Sequence, residues 1–262
     1  MRDEPAIRHV TEEERATYVR DGVVCLRGVF STSLAQRLLG LYDETIVGAE
    51  RAARHQQLPV HFQPLVFASQ IPRLVGELVG ARSVGFFWSE MFEKEPRNAR
   101  STPWHHDAAG WYLRGEHIVG VWVALTPVVE ENGLECIAGS HYFPELYWAE
   151  TPNGHRLPPP PDRPRCPDFE ARRGDPSLRF LSWTMAPGDA LFVHPRTLHY
   201  SCGNRTPDQR RVALGTWWHG DDLVWDPRPE CGPYPVGIDP AAIRAGERPS
   251  GESIPVLWRA EA

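Results

Sequence analysis

The chain has 262 residues, 41% of them hydrophobic and 24% charged, with 10 tryptophans, a balance that supports a folded domain with a sizeable core and excludes a disordered or fibrous chain. A formal net charge of -6 argues against nucleic acid as a partner, because binding a phosphate backbone needs a basic surface. Cys25, Cys136, Cys166, Cys202 and Cys231 form no C-x-x-C pair, and Met1 to Arg8 lacks the apolar stretch of a signal peptide; with no apolar run near the roughly 20 residues of a membrane helix, the expected setting is the cytoplasm.

Thr11 and Glu14 make a capping-box pattern that predicts a helix through Arg20, stopped at Asp21-Gly22. A short strand is expected over Val23 to Leu26. A second helix is expected from about Ser31 to Ser33 onward, with Leu34, Leu38, Leu41 and Thr45 at helical spacing, and a third from Pro72 to Val79 before Gly80. Their expected task is to cover one face of a sheet.

From there the pattern changes to strands. Val84, Phe86, Trp88 and Phe92 recur at even positions, which predicts one face of a half-buried strand. The valine-rich run Ile118 to Leu125 predicts a strand buried on both sides. Leu178 to Met185, Ala190 to His194 and Arg211 to Trp218 are further expected strands, with a turn at Pro187-Gly188-Asp189. Leu157 to Pro167 contains the run Pro158 to Pro161, so an extended loop is expected there. It lies in a candidate lid over about 142–176. The tail, about 226–262, is rich in proline, and Val256-Leu257-Trp258 is expected to dock it back on the body. Helices over about 10–80 followed by strands over about 84–220 read as a single, mainly β domain, a sandwich or barrel with helical cover.

Trp104-His105-His106-Asp107 is the segment richest in chemistry. On an extended chain, residues i and i+2 share a side, so His105 and Asp107 can offer an imidazole and a carboxylate to one metal ion. A histidine from elsewhere would complete the facial triad of non-haem Fe(II) oxygenases. His219-Gly220-Asp221 repeats the H-x-D pattern, but no histidine comes after it; His199 comes after the first copy, directly beyond a strand-like run. A dicarboxylate cosubstrate such as 2-oxoglutarate needs a cation at its far end, and the planar fork of arginine suits that task. Arg210, on the next expected strand, is the candidate, with Ser201 as a hydroxyl partner. Trp104, His106, Trp111, Tyr112 and Trp217 are candidates to line a substrate pocket, although core packing accounts for aromatic residues equally well. His141 and His194 are expected to be structural. Two histidines and a carboxylate can also hold a hydrolytic zinc, which leaves Arg210 and Ser201 without a task, and a non-catalytic ligand-binding barrel is a further alternative.

Six ordered elements resemble the phytanoyl-CoA dioxygenase family of 2-oxoglutarate oxygenases. Its W-H-x-D segment is matched by Trp104, His105 and Asp107; its E-N-G and G-S-H elements by Glu131-Asn132-Gly133 and Gly139-Ser140-His141. Its G-D, H-x-S-x-x-N and subsequent arginine are matched by Gly188-Asp189, by His199, Ser201 and Asn204, and by Arg210. The resemblance implies a double-stranded β-helix, a cupin-like jelly-roll barrel with N-terminal covering helices. It implies Fe(II) on His105, Asp107 and His199, with 2-oxoglutarate and O2 as cosubstrates and Arg210 and Ser201 on the distal carboxylate. Lys94, the single lysine of the chain, stands before a proline where the family often places a lysine near the cosubstrate. The carboxylate of Asp107 favours hydroxylation over halogenation. Epimerisation, desaturation and ring closure stay open, as does the substrate: a small, mostly apolar molecule, such as an intermediate of natural-product biosynthesis, or a fatty acyl-CoA.

Overall fold

The computed structural model describes residues 7–45, 62–148, 163–228, 231, 239–249, 251 and 254–261. The run Pro158 to Pro161 lies outside them. Four helices come first: α1 (Glu12–Asp21), α2 (Thr32–Thr45), α3 (Gln63–Phe67) and α4 (Ile71–Val79), with strand β1 (Val23–Leu26) between α1 and α2. In α1 both halves of the capping box form between Thr11 and Glu14, and Gly22 ends the helix at φ 74°, a left-handed conformation that glycine adopts without a Cβ penalty. A Cβ there would also lie 2.4 Å from both His141 Nδ1 and Thr197 Oγ1. Along α4, Ile71, Leu74, Val75 and Leu78 recur at helical spacing and are all buried. Each such side chain stabilises the fold by roughly 1.5–3 kcal/mol.

The remaining strands are β2 (Ser83–Lys94), β3 (Thr102–His105), β4 (Leu113–Arg114), β5 (Val119–Ala124), β6 (Leu134–Ile137), β7 (Phe180–Leu181), β8 (Ala190–Val193), β9 (His199–Ser201), β10 (Arg211–His219), β11 (Val224–Trp225) and β12 (Val256–Arg259). A six-stranded sheet runs β1-β8-β5-β10-β2-β12, a four-stranded sheet runs β3-β9-β6-β7, and β4 pairs with β11. Every named pairing is antiparallel. Chain-adjacent strands alternate between the two sheets from β2 to β3 and from β9 to β10, as in a double-stranded β-helix.

Alternation of side chains sorts the core into layers. Val119, Val121 and Val123 of β5, with Val212, Leu214 and Trp218 of β10, pack toward the helices. Trp122, Ala124 and Ala213 face the other way, into the space between the sheets, where they meet Cys136 of β6. The six residues of β5 are all buried, as the apolar run predicts.

In β2 the even-position pattern does not mark one face. The register with β10 slips between Trp217 and Trp218, so that Trp217 pairs with Trp88 and Trp218 with Phe86. Phe87 is the extra residue of a β-bulge, which reverses the facing of the residues beyond it. Val84 and Phe86 therefore pack on the helices, while Trp88 and Phe92 pack with Phe87 and Trp217 on the opposite side. The tail returns as expected: β12 pairs with β2, and the ring of Trp258 occupies the space a side chain at Gly76 of α4 would need.

Candidate metal centre

β3 and β9 are neighbours, and their register sets His105 opposite His199. Asp107 comes next in a 3-10 turn, Asp107–Ala109. The three side chains converge: Asp107 Oδ1 lies 3.8 Å from His105 Nε2 and 3.7 Å from His199 Nε2. They are the one His/Cys/Asp/Glu group among the described residues able to hold a metal ion, their ligand atoms all within 4.8 Å of one another.

Hydrogen bonds prepare these atoms for a cation. His105 Nδ1 donates to Pro103 O at 2.8 Å, and His199 Nδ1 donates to Thr197 O at 3.0 Å. A carbonyl only accepts, so each ring carries its proton on Nδ1 and turns the Nε2 lone pair to the centre. Asp107 Oδ2 accepts from Trp217 Nε1 at 2.8 Å, leaving Oδ1 toward the histidines. The turn that carries Asp107 is tied from several segments. Ala108 N donates to Pro195 O at 2.9 Å, Arg163 Nη1 donates to Ala109 O at 2.6 Å, and Arg228 Nη2 donates to Ala108 O at 3.1 Å. The donor set fits a divalent ion with open positions, as in the two-histidine, one-carboxylate sites of non-haem iron.

Two residues along β9 from His199, Ser201 points into the same interior and meets two cations. Lys94 Nζ donates to Ser201 Oγ and to Ser201 O, each at 3.0 Å, and also to Cys202 O. Arg211 Nη1 donates to Ser201 Oγ at 3.3 Å, and its guanidinium lies 5.3 Å from the centroid of the Trp122 ring. Arg211 is 2% exposed, and its Nε has no hydrogen-bond partner among the described residues. No Asp or Glu among the described residues neutralises either cation. Burial, then the nearby Arg211 charge, pushes the Lys94 ammonium down to about 7, and burial pushes Arg211 down to about 10.

Arg210 lies elsewhere. It pairs with Asp43 of α2 and, at 3.2 Å, with Glu93, on the helix side of the sheet. The reason is parity: Arg211, Ala213 and Trp217 share the inner face of β10, and Arg210 belongs to the other. Trp104 and His106 are displaced from the pocket by the same rule. Trp104 donates to Glu170 at 2.8 Å and stacks on Tyr200, outside the four-stranded sheet. His106 is buried beneath Tyr147, donates to Tyr147 O at 3.1 Å, and is pushed down to about 4 by burial. Tyr112 packs on Trp225. Trp111 and Trp217 do meet near the centre, edge to face at 5.9 Å. His141 donates to Val19 O at 3.1 Å, and His194 accepts from Arg196 N at 3.2 Å.

Arg211, Trp122 and the bond from Trp217 to Asp107 were not found from sequence. The first two were within its reach: odd positions of β10 and even positions of β5 are fixed by alternation once one inward residue is known. The third depends on a pairing across strands that local pattern does not carry.

The profile of the family described as phytanoyl-CoA dioxygenase (PhyH) matches residues 18–212. The phytanoyl-CoA dioxygenase domain-containing protein 1 of Danio rerio is 29% identical over 141 residues, 52% of this chain and 45% of that protein. The match thus takes in under half of that relative's length. Among solved structures, the non-heme alpha ketoglutarate dependent epimerase SnoN from nogalamycin biosynthesis superposes with a TM-score of 0.71 at 22% identity, covering 95% of this chain and 98% of that one. EctD from S. alaskensis, with 2-oxoglutarate and 5-hydroxyectoine, gives 0.66 at 18% identity over 97% and 88%. At these identities the likeness is one of fold. No described helix is long and apolar enough to cross a membrane.

Proposed function

Since the chain belongs to the phytanoyl-CoA dioxygenase family, we propose that it is an Fe(II)- and 2-oxoglutarate-dependent dioxygenase that hydroxylates a C–H bond of a small, mostly apolar molecule in the cytoplasm. The observation that carries the reading is the pairing of a His-Asp-His group with two buried cations that lack an acidic partner among the described residues. His105 Nε2, His199 Nε2 and Asp107 Oδ1 would hold the iron. Bound there, iron would supply the redox chemistry through which O2 oxidises 2-oxoglutarate, to succinate and carbon dioxide, together with the substrate C–H bond.

The chain's own residues do the positioning. Ser201 is two residues from His199 on one strand face, roughly 6–7 Å along the strand, a span that a five-carbon dicarboxylate bridges. Arg211, Lys94 and Ser201 would hold the distal carboxylate, with Trp122 beneath the guanidinium. A buried, charge-assisted set of donors selects a dianion over a neutral ketone, because leaving both cations unmatched is costly. Trp111, Trp217 and Phe92 wall one side of the centre with apolar surface, which supports a mostly apolar substrate and keeps water out of it.

The test needs no substrate. Fe(II) and then 2-oxoglutarate, added anaerobically, should give the weak visible charge-transfer band of a chelated keto acid. His199→Ala should lack it. Absence of the band in folded, metal-loaded parent protein would favour a zinc hydrolase or a non-catalytic barrel.

A further inference from the structure

Asp107 is the only ligand of the three that can change its mode of binding. A carboxylate holds a cation through one oxygen or two, and the second oxygen would take one of the positions an oxygenase needs open. Oδ2 is not free to do so, because Trp217 Nε1 donates to it at 2.8 Å. The indole itself has a built seat. Gly120 lies opposite Trp217 in the β5–β10 register, and a Cβ there would stand 3.0 Å from Nε1 and 3.3 Å from Cδ1. A Cβ at Gly215, on the same face of β10, would stand 3.1 Å from Cη2. Phe92 and Trp111 close the remaining sides edge to face, at 6.3 Å and 5.9 Å. Two glycines and two aromatic rings thus hold one N–H on one carboxylate oxygen.

We propose that Trp217 is a positioning residue of the centre, which keeps Asp107 bound through Oδ1 alone and so sets both the affinity of the site and the number of coordination positions left for cosubstrate and oxygen. The proposal rests on reading His105, Asp107 and His199 as a metal centre. An aromatic residue of similar shape without an N–H would fill much of the seat and leave Oδ2 unheld. Trp217 is therefore not interchangeable with phenylalanine, which leaves part of the seat empty and Oδ2 without its donor.

Cobalt(II) is the probe, added to the purified, oxygen-free full-length protein and tracked by its visible absorption. Trp217→Phe should weaken cobalt binding roughly 10- to 100-fold, the usual cost of losing a hydrogen bond to a metal ligand, and should change the shape of the cobalt bands. Gly120→Ala, which crowds the indole without removing it, should weaken binding in the same direction and by less. In an Asp107→Ala background, Trp217→Phe should have no further effect, since the bond it removes is already gone. Circular dichroism of each apo-variant checks that it is folded. Equal losses with and without Asp107 would make Trp217 a packing residue and overturn the proposal, as would parental affinity and bands in a folded Trp217→Phe. A parent protein that takes up no cobalt would overturn the metal-centre reading, and this proposal with it.

Discussion

Burial and the neighbouring guanidinium of Arg211 push the Lys94 ammonium down to about 7, and this has two consequences of opposite sign. An unfolded chain, with an ordinary lysine near 10.5, binds more protons than the folded one between about 7 and 10.5. The contribution of this group to the stability of the cosubstrate-free protein therefore rises with pH through that window. Cosubstrate binding runs the other way, because a dianion is held by the ammonium and not by the neutral amine. The 2-oxoglutarate requirement should climb as pH passes above about 7, and Lys94→Met should flatten that dependence. Anaerobic titrations at about pH 6.5 and about pH 8.5, either side of the lowered value, decide it; parallel curves for parent and variant would remove Lys94 from the anchor. The two adjacent arginines separate as sharply. Arg211→Ala should cost about 2–3 kcal/mol of cosubstrate affinity, roughly 30- to 150-fold, as a charged hydrogen-bonding partner is lost. Arg210→Ala should leave affinity alone and lose at most about 1 kcal/mol of stability, since it is a partly exposed ion pair. The reverse outcome would mean that β10 sits one residue out of register.

Elements were legible where the signal is local. The capping box of α1, its stop at Gly22 and the apolar run of β5 each need only neighbours in the chain, and each appears with bounds within a residue or two. Facing was legible only where a strand is regular. The bulge at Phe87 is set by what β10 offers opposite it, so the even-position count in β2 joins residues that lie on opposite faces. The same dependence on a partner hid the inward side of β10. Of the candidate site, His105 and Asp107 were readable because H-x-D on an extended segment is a local arrangement; His199, Ser201 and Lys94 came with the ordered family elements, whereas Arg211 was missed in favour of its neighbour because the facing of β10 depends on its partner strands. Gly22 shows how one element boundary can also be a tertiary contact. Gly22→Ala should cost about 1–3 kcal/mol from the left-handed backbone alone, and more because its Cβ would meet His141 and Thr197 at 2.4 Å. Urea unfolding measures it, and an unchanged midpoint would show that the junction relaxes freely.

At the scale of the molecule, helices cover one face of a six-stranded sheet, and the His-Asp-His group lies between that sheet and a four-stranded one; of this, the order of the elements predicts only the helical cover of one sheet face. Composition and turns point to a β sandwich or barrel; the interleaved order β1-β8-β5-β10-β2-β12 cannot be had from them, because long-range pairing leaves no local trace. The family resemblance supplied what the pattern lacked.

Lys94 is the single lysine of the whole chain, and it lies in the interior at 8% exposure. The folded surface offers acylating reagents, aldehydes and lysine-modifying enzymes no side-chain amine. The one side-chain amine is uncharged, and hence nucleophilic, from slightly above neutrality, and peptide masses separate it from the α-amine of the chain. Slow labelling of that side chain in mildly alkaline buffer reports on the interior alone. Its retardation by 2-oxoglutarate would read occupancy of the anchor directly, by mass, without iron, oxygen or a substrate.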